Sequence, residues 1–179
     1  HIIVAQHGGT FPSTFENIMA LPGIRRSTAG AILSCAYDTP YAILDGNVKR
    51  VLARVGAISG WPGEPKTADK LWSIAEKLLP EERPADYTQA MMDLGALVCS
   101  RSKPKCEACP VQPHCNAFQT DSIASYPTPK PKKEKPVRDC VFVRLETPTH
   151  IALVKRPSPG IWGGLWCLPQ HDTHKEASA

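Results

Sequence analysis

The sequence predicts a mainly α-helical domain followed by a small β-containing region, and three observations carry that expectation. Apolar residues recur at helical spacing through residues 1–118. A polar, proline-rich stretch over 119–137 then breaks the pattern and reads as an extended linker. Beyond it, residues 138–179 hold short β-prone runs and a loop rich in glycine and tryptophan.

The first helical signal is Ser13-Thr14-Phe15-Glu16, a capping box opened by Ser13, whose hydroxyl and the Glu16 carboxylate satisfy free amides at a helix start. That helix is short and stops at Leu21-Pro22-Gly23, a turn signal. A second runs from about Ser27 to Tyr37 with Ala31, Ile32 and Cys35 as its apolar stripe. The third opens at Asp45, a good N-cap residue, and places Val48, Val51, Leu52 and Val55 on one face. Thr67 caps a fourth, with Leu71, Trp72, Ala75 and Leu78 inward. A fifth, from about Tyr87 to Val98, is led by Met91, Leu94 and Val98 and delivers the chain to Cys99. After the linker, Cys140–Leu145 and Ile151–Lys155 read as a hairpin, and so few residues make a thin core.

Composition narrows the function classes. Of 179 residues, 42% are hydrophobic and 21% charged, which fits neither a disordered chain nor a fibre. No apolar run approaches the roughly 18 residues of a membrane span, and HIIVAQHGGT is no signal peptide, so a membrane partner or secretion is not expected. Seven cysteines are an odd number, and four of them, Cys99, Cys106, Cys109 and Cys115, fall within 17 residues. That crowding points to a metal or cluster site in a reducing, intracellular compartment, cytoplasmic or at the nucleoid. Cys35, Cys140 and Cys167 sit among apolar neighbours and read as buried fillers. The chain has a net charge of +4, yet residues 101–138 alone carry eight basic against three acidic side chains. Positive charge is thus concentrated at and after the cysteines, as for an end that faces a polyanion. The run Lys130–Lys135 reads as a solvated linker segment, with a protein partner there as the other possibility.

Three stretches can carry chemistry. Cys99-x6-Cys106-x2-Cys109-x5-Cys115 offers four thiolates to one soft metal centre, and its spacing leaves zinc and iron–sulfur both open. Pro104, Pro110 and Pro113 stiffen its turns, and Arg101, Lys103 and Lys105 form a cationic arc between the first two ligands. Leu21-Pro22-Gly23-Ile24-Arg25-Arg26-Ser27-Thr28 is a tight turn opening into a helix. Its backbone amides can bind a phosphate regardless of base sequence, which makes Gly23, Ile24, Arg25 and Thr28 candidate contacts; an ordinary helix–helix turn has the same signature. Asp45-Gly46-Asn47 places a carboxylate at a helix start, where it caps the helix and can also face a developing sugar cation.

Taken together, LPGIRRSTAGAIL, ILDGNVKRVLAR, SGWPG, QAMMDLGALVCSRSKPKCEACP and IWGGLWCLP resemble the adenine DNA glycosylases of the MutY type, the helix–hairpin–helix branch of base-excision repair enzymes. The resemblance runs from about residue 7 to residue 170. It implies a helix–hairpin–helix glycosylase fold with a four-cysteine [4Fe–4S] loop, zinc being the runner-up, followed by the beginning of a Nudix-like domain. The implied reaction is hydrolysis of the N-glycosidic bond of adenine mispaired with 8-oxoguanine or guanine in double-stranded DNA, after base flipping, by a monomer. Asp45 matches the family's catalytic aspartate, and Asn47 an asparagine that organises the same site. Ser27 stands where a related lyase, endonuclease III, places a nucleophilic lysine. Lys49 and Arg50 are candidate phosphate contacts or a solvated helix face.

Three departures shape the expectation. The family's second catalytic carboxylate, a glutamate, lies upstream of His1, so the chain alone is expected to be an impaired fragment. The hairpin's usual second glycine is Arg25, which costs about 1 kcal/mol or more if its φ is positive. The Nudix-like region is expected to be incomplete. The alternatives are an endonuclease III-like glycosylase/lyase and a non-catalytic DNA-binding module.

Overall fold

Helices form at each of the five predicted stretches in the first half of the chain, with shifts at their ends and, over Arg26–Tyr37, of the buried face. The computed structural model describes residues 1–132, 134 and 136–177; within the basic run, Lys133 and Lys135 lie outside the described residues. The chain divides into two compact units, His1–Pro131 and Lys132–Ala179.

In the first unit, α1 (Ile2–His7) precedes α2 (Phe15–Met19). The cap of α2 is Thr14 rather than Ser13: Thr14 has the extended backbone a cap needs, and its hydroxyl accepts from the Asn17 amide at 3.4 Å. Helix α3 (Arg26–Tyr37) buries Ala29, Gly30, Leu33 and Ser34, so the expected stripe of Ala31, Ile32 and Cys35 is displaced and Cys35 is exposed. Apolar residues occur all round this helix, and packing against α2 and α6 (Pro84–Asp93) selects the face. Helix α4 (Gly46–Val55) follows its cap Asp45 as expected and buries Val48, Val51, Leu52, Ala53 and Arg54. Helix α5 (Pro65–Lys77) starts at its own proline after Glu64. Thr67 is therefore inside the first turn, donating to Glu64 Oε2 at 3.4 Å, and Leu78 is half exposed beyond the helix end.

The main core joins Ile43, Leu44, Val48, Leu52, Ala53, Leu71 and Ala75, with Trp72, Met91 and Met92 packed against it. A smaller cluster, Ile18, Ala29 and Leu33, ties α2 to α3. Helix α6 does not run on to Val98 as an α-helix. It passes into a π-helical turn, Leu94–Val98, closed by the Cys99 amide on the Leu94 carbonyl at 2.7 Å.

Short 3-10 turns at Cys106–Ala108 and Gln112–His114 shape the cysteine loop before α7 (Asn116–Gln119). The residues that follow, expected to extend freely from 119, are instead fastened to the helical unit. Arg54 Nε donates to the Tyr126 carbonyl at 2.9 Å, and the Gly60 amide donates to Thr128 Oγ1 at 3.1 Å. The Lys130 ammonium stands 5.4 Å from the centre of the Trp61 ring. Polar composition made this strap look solvated; its carbonyls and hydroxyl serve as acceptors for distant donors.

In the second unit, β1 (Val141–Phe142) pairs antiparallel with β4 (Gln170–His171), and β2 (Val154–Lys155) with β3 (Trp166–Cys167). The predicted hairpin survives at its turn, as a Glu146–Ile151 bridge, while the strand partners come from 166–171. A short helix, α8 (His174–Ala177), follows. Cys140 is exposed and Cys167 half-buried, so the scattered cysteines are not buried fillers. Ile161, Trp162, Leu165 and Trp166 are all exposed within this unit, which fits its thin core. Among the described residues, no helix is long and apolar enough to cross a membrane.

Candidate functional site

Asp45 ends an extended segment and begins α4. Its Oδ1 accepts from the Val48 amide at 2.7 Å, which fixes the carboxylate at the positive end of the helix. Among the described residues its other oxygen makes no hydrogen bond, and the residue is half-buried. Ser27, near the start of α3, accepts from the Leu44 amide at 2.9 Å. It therefore fixes the backbone one residue ahead of Asp45, and the structure brings these two candidates onto adjoining segments.

Asn47 and Arg50 lie one turn apart on α4 and form a second network. Arg50 Nη2 donates to Asn47 Oδ1 at 2.9 Å and to the Gly95 carbonyl at 2.6 Å, while its Nε donates to the Cys99 carbonyl at 2.7 Å. Arg50 is thus a staple between α4 and the π turn, and it also lines the cleft described below. The approach is close: a Cβ on Gly95 would lie 2.6 Å from the Asn47 Cβ, so only glycine fits there.

Cys99, Cys106, Cys109 and Cys115 line one pocket, walled by Val51, Val55, Leu94, Val98 and Phe118. Arg54 reaches into the same place, with Nη1 3.3 Å from Cys99 Sγ. Burial pushes the Cys106 thiol above its ordinary range. The neighbouring Cys99 adds to that shift and the Arg54 charge opposes it. Four sulfurs, apolar walls and one buried cation suit an anionic, sulfur-ligated centre. Among the described residues no three His, Cys, Asp or Glu side chains converge on a point that would hold a single ion.

Arg101, Lys103 and Lys105 are exposed on the arc between the first two cysteines, as expected. The arc is held at its ends: the Lys105 amide donates to the Val98 carbonyl at 2.9 Å and Ser100 Oγ to the Lys103 carbonyl at 2.6 Å. A cleft of about 1070 Å³ opens beside it, lined by Asn47, Lys49, Trp61, Arg101, Tyr126 and Lys130 among others. Lys49 and Arg101, far apart in sequence, share this cleft; Lys103, Lys105 and the hairpin do not line it.

At the hairpin, Gly23 has φ +84°, a conformation that favours glycine. Arg25 is the N-cap of α3 with φ −122° and ψ 168°, extended backbone open to any residue, so the expected cost of arginine there does not arise. The Ile24 amide donates to the Leu21 carbonyl at 3.2 Å and its side chain packs on the Ile18 cluster, so Ile24 serves the turn and offers no amide to a phosphate. The first intrahelical bond of α3 comes from Ala29, which leaves the amides of Arg26, Ser27 and Thr28 without helical partners. Sequence reading missed Arg54, Trp61 and the strap. A charged residue one turn beyond Arg50 and three residues after the buried Val51 was the available signal for Arg54.

No family model matches the chain. An adenine DNA glycosylase of Buchnera aphidicola (from Acyrthosiphon pisum) is 41% identical over 176 residues, 98% of this chain and 50% of the relative. The adenine DNA glycosylase of Arabidopsis thaliana is 41% identical over 184 residues, covering 94% and 29%, and that of Homo sapiens 33% over 216 residues, covering 93% and 39%. Among solved structures, a thermostable thymine-DNA glycosylase aligns with a TM-score of 0.56 and 28% identity over 66% of this chain and 54% of that one. A non-covalent endonuclease III–DNA complex aligns at 0.55 and 24% identity over 67% and 54%, a likeness of fold. The chain spans at most about half the length of these curated relatives. With its mainly helical fold and with identity of this level along nearly its whole length, the chain is similar to about half of an adenine DNA glycosylase.

Proposed function

We propose that this chain carries the sugar-facing and cluster-bearing portion of a DNA repair glycosylase that hydrolyses the N-glycosidic bond of adenine opposite 8-oxoguanine or guanine. The observation that carries the reading is Asp45: one oxygen is committed to the Val48 amide, and the other is free to face a ligand. As the glycosidic bond breaks, positive charge grows on the sugar, and a fixed carboxylate stabilises it without reorganising. Asn47, two residues on and pinned by Arg50, lines the neighbouring cleft, whose lining does not include Asp45. Ser27 is occupied by the Leu44 amide and carries no amine, so no covalent sugar adduct forms through it. The proton for the departing adenine is assigned to a glutamate outside residues 1–179, so these residues alone bind duplex with little base release.

Phosphate contacts are assigned to Gly23, Arg25 and Thr28 of the hairpin, to Lys49 in the cleft, and to Arg101, Lys103 and Lys105 on the arc. Cys99, Cys106, Cys109 and Cys115 would hold a [4Fe–4S] cluster; when bound, it supplies the cross-links that keep the cationic arc in shape. Four cysteines lining one apolar-walled pocket beside the Arg54 cation support a sulfur-ligated centre, with zinc as the alternative. The reading places the protein inside the cell, in a reducing compartment, acting as a monomer.

The test is adenine release from an A:8-oxoguanine duplex by the whole protein, with borohydride added in parallel. Release without a stoichiometric trapped complex supports the proposal. Stoichiometric trapping favours the endonuclease III-like lyase, and binding without release favours the non-catalytic module.

A further inference from the structure

Arg54 is a charged side chain with nothing in the proposed hydrolysis to do, yet it is 3% exposed. Its guanidinium joins two stretches of chain, residues 99–101 and Tyr126. Nε donates to the Tyr126 carbonyl at 2.9 Å, Nη1 to the Ser100 carbonyl at 2.7 Å and to Cys99 Sγ at 3.3 Å, and Nη2 to the Arg101 carbonyl at 3.0 Å. Among the described residues no carboxylate forms an ion pair with it. A buried cation without a counter-charge is costly, and carbonyl dipoles satisfy its protons but not its charge. Among its hydrogen-bond partners, the one able to supply an anion is the sulfur of Cys99.

We propose that Arg54 is a positioning residue that transmits loading of the four-cysteine centre to the strap, residues 122–130, and so sets one wall of the cleft at Asn47 and Lys49. The inference rests on the reading above that these cysteines hold a metal centre. A metal-bound thiolate is an anionic acceptor, and a guanidinium hydrogen bond to it is charge-assisted; a free thiol is a weak acceptor. With the centre loaded, Arg54 is held between sulfur and strap. With it empty, the guanidinium loses its counter-charge and its hold on Tyr126 weakens. The strap's other fastenings, Gly60 to Thr128 and Lys130 over Trp61, do not involve Arg54, so the effect is local to the turn Ile123–Ser125 and Tyr126. Because Ile123, Ala124 and Tyr126 line the same cleft as Asn47 and Lys49, that turn is where the state of the centre reaches the site.

The test is amide hydrogen exchange on the full chain, loaded and after removal of the metal, with iron, sulfide and zinc measured on each sample. Ser125 and Tyr126 donate within the strap turn and are the reporters. In the wild type, removal is expected to speed their exchange by about tenfold or more while amides in α3 change little. In Arg54→Lys, these two amides are expected to exchange fast whether or not the centre is loaded. Thr128→Val serves as the second variant: it loosens the far end of the strap and keeps the metal dependence at Ser125 and Tyr126. Unchanged strap exchange on removal, equal change in strap and α3, or a wild-type response in Arg54→Lys each overturns the inference. A chain that carries no metal overturns the metal reading and this inference with it, whereas a loaded chain whose strap ignores loading overturns the inference alone.

Discussion

Asp45 and Gly95 show how far single positions define this site. A carboxylate that capped α4 with both oxygens would have nothing left for a ligand, whereas Asp45 commits Oδ1 alone. Its neighbour Asn47 is fixed from the far side by Arg50, and that arrangement exists because Gly95 lets the π turn approach to within a side chain's width. Gly95→Ala adds a methyl group where the Asn47 Cβ already stands. The expected result is a loss of about 1–3 kcal/mol of stability, the usual cost of overpacking, read by urea denaturation. Base release in the whole protein should fall as well, because the staple from Arg50 to Asn47 is displaced. Arg25 is the opposite case: its extended backbone makes a glycine there unnecessary, whatever other hairpins use.

At the scale of elements, what could be read in advance was what neighbouring residues decide among themselves. The apolar spacing of Val48, Val51 and Leu52 and the capping aspartate fixed α4 without help from the rest of the molecule. The buried side of α3 was not legible, since Ala29, Ala31, Ile32 and Leu33 surround the helix and only its packing partners choose among them. The cap of α2 slipped by one residue because Ser13 and Thr14 are chemically equivalent candidates. In the site, the clustering of four cysteines was visible in their spacing, but the donors that organise them were not. Arg50 and Arg54 bond to groups 45 or more residues away, a matter of tertiary apposition that no local pattern carries. The strap is the clearest instance: proline and polar residues announce extended chain, and nothing local announces where it docks. A chain ended at Pro131 is expected to keep the thermal stability of the helical unit. One ended at Gln119 loses the Tyr126 and Thr128 contacts and should melt several degrees lower, by roughly 1–3 kcal/mol for the hydrogen bonds removed. Equal melting of the two truncations would show the strap to be free.

For the molecule as a whole, the placing of charge accords with the proposed polyanionic partner. Positive side chains gather on the arc and around the cleft, and the second unit is a small set of two-stranded ladders with exposed tryptophans. If Arg25, Lys49, Arg101, Lys103 and Lys105 each neutralise one phosphate, duplex binding should weaken with salt at a logarithmic slope of about −4.5, and Lys103→Ala should reduce the slope by about 0.9. Binding titrations between low and physiological salt read both values; a slope unchanged by that substitution removes Lys103 from the interface.

The central claim is that the Asp45 carboxylate faces the sugar during base loss. It is tested most directly by measuring adenine release and duplex binding side by side for the whole protein and its Asp45→Asn variant on an A:8-oxoguanine substrate. An asparagine oxygen can still accept from the Val48 amide, so helix and binding are expected to persist while release disappears. Release at an undiminished rate from Asp45→Asn would contradict the account.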